Sequence, residues 1–406
     1  MRLRPGVPST LNAFCTTDYP KDSSPRYWGF PNYKMNQLKA SYYGETKHAN
    51  QETHKRHSSG YFNRFFGGVR HSLGYKTKKL NRRPSNSLED FSIVSSSQPT
   101  VDNQCNRLFA LDTGVLQYSA TEIYNVQLPA IIVFDLPQDG CETRRFPVVR
   151  RVEIPSHLFK NPVSYNFMTI DQQLKGTCDD IYIYTSNTFD NTLLVYDYKR
   201  NSFWNIEHYL FNPVMAESFM VFNKDYNYQL PLGIVNVALG WPDKKGNRPA
   251  YFTPGSSQGE YVFSTKYIKN QTNYLQDFSN SITVLGYRGS GTQAYRQVFD
   301  CNTGVIFFAE MQSNRLSCWN SLLPISPDTV GVVFESEALE FISGLKIDPT
   351  GYLWFHSSQV PLDFFTSDPL DLTKVNSRTF RIRVSDAING TICDTSNYKR
   401  PSSANI

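Results

Sequence analysis

Cys105-Asn106-Arg107-Leu108-Phe109-Ala110-Leu111-Asp112-Thr113-Gly114 is a short apolar run closed by an acidic turn. It reads as a buried strand, and the small polar residues and glycine after it are those that reverse a chain. The same unit returns at 181–187, 251–257, 305–311 and 353–358, with starts about 50–75 residues apart. Short strands repeating at a long, loose period, with no helical units between them, predict a β-propeller.

The surrounding sequence agrees. AIIVFDL at 130–136 and LLVYDY at 193–198 are apolar runs ending near an Asp, as buried strands bounded by turns do. RTFRIR at 378–383 mixes charged and apolar residues and predicts a half-exposed outer strand. Aromatic residues make up 14% of the 406, which favours strands over helices. No apolar run approaches the roughly 20 residues needed to span a bilayer. The first residues, Met1-Arg2-Leu3-Arg4-Pro5, have no apolar segment behind them and do not read as a secretory signal.

The net charge of +5 is unevenly placed. Residues 46–88 carry ten Lys/Arg against one acid, leaving 31 against 35 elsewhere, so the chain as a whole is not a nucleic-acid binder by charge. That segment is poor in aliphatic residues and predicts a disordered basic insert. The expected organisation is a partial blade at 1–45, the insert at 46–88, further blades at 89–393 and a tail at 394–406. His48, His54, His57 and His71 fall in the insert, where nothing fixes a ligand geometry, so no metal site and no cofactor are read.

Two motifs are set aside. Asp112-Thr113-Gly114 matches the aspartic-protease triplet, but the nearest second copy, Asn302-Thr303-Gly304, lacks the acid that chemistry requires. Gly286-Tyr287-Arg288-Gly289-Ser290-Gly291 has no following Lys-Ser/Thr and predicts a propeller loop, not a phosphate cradle. Seven scattered cysteines without a C-x-x-C pair, together with sequons at Asn270 and Asn389, point to an oxidising compartment.

Five ordered blocks resemble the Yellow / major royal jelly protein family. They are Pro5-Gly6-Val7-Pro8-Ser9-Thr10-Leu11-Asn12; Ser97-Gln98-Pro99-Thr100-Val101-Asp102 with the stretch quoted first; and Leu194-Val195-Tyr196-Asp197 with Ser202-Phe203-Trp204 and His208. Tyr251-Phe252 with Pro254 and Ser256-Ser257, then Cys318-Trp319-Asn320, complete the set. The resemblance implies a secreted, all-β, six-bladed propeller, with ligands in the central channel of some members. Family members carry a signal peptide and about one blade's worth of strands before the first block. Met1 stands almost on that block, so the first blade is expected incomplete and the signal peptide lost with it.

The resemblance also supplies candidate residues. Cys105 with Cys178 is one implied disulfide, and Cys301 or Cys318 with Cys393 is a second. Trp319, Asn320, Ser343, Ser358 and Asn187 are the channel candidates. Ser358 and Val360 stand where amine-binding salivary members have an Asn and an aromatic residue, and Asn187 stands where the family commonly has Asp. These departures speak against a biogenic amine as ligand. The favoured expectation is a monomeric propeller of cuticle pigmentation or a melanin pathway, binding a small catechol-derived ligand. One alternative is an enzyme converting dopachrome, with Asp112, Asp171 and His208 as acid/base candidates. The other is a structural or storage protein.

Overall fold

The computed structural model describes residues 12–13, 28–30, 32–36, 92–97, 99–117, 123–137, 146–161, 165–173, 176–222, 226–272, 278–359, 371 and 373–396. The expected insert at 46–88, Val360 and most of the C-terminal tail lie outside them. The described residues up to Met168 belong to one compact unit and those from Thr169 onward to a second.

The fold is an all-β propeller, and five blade sheets are seen among the described residues. Blade I joins Thr100–Asp102, Arg107–Asp112, Ala130–Asp135 and Val148–Glu153. Blade II joins Tyr165–Gln172, Ile181–Asn187, Thr192–Asp197 and Ser202–Glu207. Blade III joins Ile234–Leu239, Pro249–Pro254, Gly259–Ser264 and Thr283–Tyr287. Blade IV joins Ala294–Phe299, Val305–Glu310, Arg315–Asn320 and Val330–Glu335. Blade V has three described strands, Ile342–Ile347, Tyr352–Ser358 and Ser377–Arg383. The family resemblance implied six blades; the region 1–45 contributes only the pair Asn12–Ala13 with Trp28–Gly29 and the short helix Tyr33–Asn36 to the regular elements of the described structure.

Each repeat unit found in the sequence is, or lies across, the second strand of a blade. In blade IV, blades III and V cover both faces of that strand, which explains a run that is apolar without alternation: all six residues of Val305–Glu310 are buried. Six of seven are buried in Ile181–Asn187. The outer strand Ser377–Arg383 instead alternates between exposed and half-buried positions, because only one face meets the protein. Asn106, Asn191, Asn201 and Asn314 take positive φ in the reversals between strands, where Asn is tolerated more readily than most residues.

In the second unit the blades are joined face to face. Leu193, Val195 and Trp204 of blade II pack with Val237, Phe252 and Phe263 of blade III. Trp241 and Ala238 meet Phe299, Ile306 and Phe308 of blade IV. Val305, Phe307 and Leu316 meet Leu345, Leu353 and Phe355 of blade V. The Cys318–Cys393 disulfide, with an S–S distance of 2.07 Å, ties blade IV to the segment after the helix Val384–Ile388. Among the described residues no helix is long and apolar enough to cross a membrane.

Candidate functional site

The innermost strands of blades II to V stand side by side, and polar side chains join them. Thr169 Oγ1 donates to Val237 O at 2.8 Å, linking blade II to blade III. Asn236 of blade III is clamped to Gln297 of blade IV: its Nδ2 donates to Gln297 O at 2.9 Å and its Oδ1 accepts from Gln297 N at 3.0 Å. Between blades IV and V the link is aromatic, Tyr295 against Phe341 with ring centroids 4.9 Å apart. A buried amide that satisfies backbone groups of the next blade fixes register where strands are not paired.

Around this frame lie charges that a strand core ordinarily excludes. Arg288 and Glu260 are both fully buried, with Nη1 2.7 Å from Oε2. Arg288 also donates to Gly259 O, Ser257 O and Thr292 O, at 2.9, 2.9 and 3.2 Å. Neutral oxygens therefore satisfy most of the guanidinium. Burial pushes the Glu260 carboxyl up to about 8, against the opposing pull of Arg288 and the neighbouring Gln297 amide. Glu260 Oε1 and both polar atoms of the Gln297 amide are buried without an aligned hydrogen bond among the described residues. The strand end that brings Arg288 inward needs glycine: at Gly286, φ is +155° and a Cβ would lie 2.5 Å from Ile325 O.

A second pair of charges lies on the inner strands themselves. Arg296 of blade IV is only 4% exposed, and burial brings its guanidinium down to about 9. Lys346 of blade V is half-buried, and burial with the charge of Arg296 holds its ammonium well below the ordinary lysine range.

The candidates expected from sequence are dispersed. Asp112, in the first unit, is fully buried at the end of its strand. It accepts from Val94 N, Ser95 N, Gly114 N and Gln127 Nε2 at 2.9, 2.8, 3.1 and 2.7 Å. Burial pushes its carboxyl up, and the backbone donors pull it down. Asp171 lies at the far end of blade II's inner strand, where it accepts from Tyr184 Oη and pairs with Lys269 Nζ, both at 2.8 Å. Arg248 Nε is 3.3 Å from its other oxygen. His208 follows the outermost strand of the same blade. Its Nδ1 accepts from Leu210 N and its Nε2 meets Ser279 O, both at 3.1 Å, so both ring nitrogens are engaged by backbone groups. Asp171 and His208 thus stand at opposite ends of blade II and form no acid/base pair.

The ligand candidates divide in the same way. Asn187 ends blade II's second strand and holds Asp190, through Nδ2–Oδ2 at 2.8 Å and Oδ1 to the backbone N–H at 3.2 Å. Ser343 is the second residue of the inner strand of blade V, its Oγ 3.5 Å from His356 O. Ser358 ends the second strand of that blade, and its N–H donates to the backbone oxygen of Phe341 at 3.0 Å, the residue whose ring meets Tyr295. Its Oγ is buried with no hydrogen-bond partner among the described residues. Asn320 and Trp319 lie at the opposite end of blade IV, where Asn320 Oδ1 caps Leu322 N at 3.1 Å and Trp319 Nε1 donates to Leu323 O at 3.2 Å. Cys105 and Cys178 are both disulfide-bonded, and Cys301 is exposed and takes no part in the Cys318–Cys393 bridge. Both sequon asparagines, Asn270 and Asn389, are exposed.

Sequence reasoning missed Glu260, Arg288, Arg296 and Lys346. The signal was present for the last two, as single charges inside the strand runs AYRQVF and ISGLKI.

The family described as Major royal jelly protein matches residues 94–393. The chain belongs to the major royal jelly protein family. A Yellow-related salivary protein of Phlebotomus orientalis is 34% identical over 306 residues, covering 74% of this chain and 75% of that one. The Yellow-related salivary protein LJM11 of Lutzomyia longipalpis is 31% identical over 333 residues, 80% of each. Among solved structures, a 6-phosphogluconolactonase-like protein described as putative, from Bacteroides uniformis, matches 66% of this chain at 10% identity and a TM-score of 0.39, too distant to inform function. Membership carries the propeller and the order of the motif blocks; it does not itself assign a ligand.

Proposed function

We propose that this chain is a secreted, six-bladed Yellow-type propeller whose central channel binds a small catechol-derived ligand, in cuticle pigmentation or a melanin pathway. The observation that carries the reading is the set of residues at the inner rim of blades IV and V. There Ser358, with a buried hydroxyl lacking a partner among the described residues, is bonded through its backbone N–H to Phe341, whose ring meets Tyr295. An aromatic wall with a few convergent polar groups is what a small aromatic ligand requires. Secretion is supported by the salivary relatives, the disulfides and the exposed sequons, which make the chain a proposed glycoprotein. The protein acts as a monomer, without nucleic acid.

Binding is favoured over turnover. Dopachrome conversion needs an acid and a base within reach of one substrate. Asp171 is held by two cations and a tyrosine, and His208 is held by two backbone groups at the other end of the blade. The test is a titration of the full chain with a catechol, followed by tryptophan fluorescence, beside a time course of dopachrome absorbance. Saturable one-to-one binding with dopachrome decaying at its spontaneous rate is expected. Accelerated decay would replace the binding role with an enzymatic one, and absence of both would refute small-molecule chemistry.

A further inference from the structure

On the face of blade V turned away from blade IV, arginines and aromatic rings form one ladder. Phe380 and Ile382 of the strand Ser377–Arg383 pack into the core shared with blade IV, so Arg381 and Arg383 point the other way. Their partners across the sheet are Trp354 and Tyr352. The Arg381 guanidinium lies over both rings, 5.1 Å from the Tyr352 centroid and 5.3 Å from that of Trp354, and the Arg383 guanidinium lies 4.6 Å from Tyr352. Both arginines are nonetheless exposed, and the exposed Ser377 and Thr379 continue the same face. Six other described arginines each pair with a carboxylate. Arg381 and Arg383 pair with none among the described residues, and apart from the ring contacts their donors are open. Asp348, beside Trp354, is taken up by its own turn: it accepts from Thr350 N, Thr350 Oγ1, Tyr352 N and Trp354 Nε1 at 2.8, 2.7, 3.0 and 2.7 Å. It fixes the indole and leaves the guanidinium groups uncompensated.

A guanidinium stacked on a ring is held in orientation while its edge, which carries the N–H donors, stays free. That edge matches the paired oxygens of a sulfate, carboxylate or phosphate. Two such forks at alternate positions of a strand stand roughly 7 Å apart, which suits a chain of repeated anions better than a single one. Outside residues 46–88 acids outnumber Lys and Arg by 35 to 31, a balance that does not draw nucleic acid. A membrane surface would be gripped by apolar side chains next to the arginines, where this strip continues with Ser377 and Thr379. The Cys318–Cys393 disulfide suits an oxidising compartment, where the polyanions a protein meets are sugars bearing sulfate and carboxylate. We propose that this face of blade V binds a sulfated polysaccharide, with Arg381 and Arg383 each taking one anionic group through the guanidinium edge. The site is separate from the channel and does not depend on what the channel binds.

Calorimetric titration of the full chain with a heparin-derived oligosaccharide at low salt tests this, with thermal melting of each variant to confirm a folded protein. The oligosaccharide binds, and the double variant Arg381→Gln with Arg383→Gln weakens it by about 10–100-fold. Arg381→Lys with Arg383→Lys keeps the charge without the fork and retains only part of the affinity. A folded Gln double variant within about threefold of wild type refutes the assignment, because the affinity then comes from elsewhere, the basic segment 46–88 included. A Lys double variant that binds as tightly as wild type refutes the fork. Equal binding of the desulfated oligosaccharide refutes anion recognition, and equal binding of a single-stranded DNA of the same charge refutes the choice of a sulfated sugar. Absence of binding overturns the proposal.

Discussion

Replacing Glu260 by Gln should change how the stability of this propeller depends on pH. Burial pushes the Glu260 carboxyl from an ordinary 4.5 up to about 8 in the folded chain. Between those values the folded state keeps a proton that the unfolded state has lost. Raising the pH therefore favours unfolding, by roughly 1.4 kcal/mol per pH unit in the middle of the window. Integrated between pH 5 and 8, the loss is about 3–4 kcal/mol. Below the unfolded value both states are protonated, so the stability is fully present there and the group contributes no pH dependence. Glu260→Gln keeps the size of the side chain and an oxygen for Arg288 Nη1 but cannot ionise. Urea unfolding of both proteins at pH 5, 6, 7 and 8 measures the difference directly. Wild type should lose stability relative to the variant by that amount as the pH rises. Parallel profiles, or a wild type that gains on the variant towards pH 8, would refute the argument. The latter result would mean that the 2.7 Å contact with Arg288 is an ionised pair whose attraction exceeds the desolvation of both groups.

Other outcomes follow from single contacts. Cys318→Ser with Cys393→Ser opens a bridge between residues 75 apart, and on the chain-entropy account should lower unfolding stability by about 4 kcal/mol in non-reducing denaturation. Gly114→Ala places a Cβ 2.2 Å from Gln127 O at a φ of +68°, and Gln127 in turn holds Asp112. A loss of at least about 1–2 kcal/mol is expected in denaturant melts, and an unchanged midpoint would contradict it. Expression through an insect secretory route should give a mass that falls on glycosidase treatment, with the shift reduced in Asn270→Gln and in Asn389→Gln; a mass equal to that of the bare chain would refute glycosylation at these exposed sites.

The second strands of the blades were legible because burial on both faces leaves a run that is apolar without alternation. The repeat units at 181–187 and 305–311 coincide with such strands to within a residue, and 353–358 matches Tyr352–Ser358, where buried and half-buried positions alternate. Outer strands such as Thr283–Tyr287, with two exposed positions at its start, carry no comparable signal. Sites made between blades were hidden for a different reason. Arg288 reaches Glu260 across 28 residues of chain, and the glycine-rich loop that carries it reads locally as nothing but a turn. Asp112 and His208 drew attention by residue type and motif block, but what they do is set by backbone N–H groups that any sequence supplies. Arg296 and Lys346 could have been flagged as charges interrupting buried strands.

The most direct test of the account is a crystal structure of the full chain grown with a catechol. The ligand should lie at the inner strands of blades IV and V, its ring against Tyr295 and Phe341 and within reach of Ser358. A ligand bound only on the outer surface, or density at that rim unchanged from the unliganded crystal, would contradict the claim that this propeller holds a small aromatic molecule in its channel.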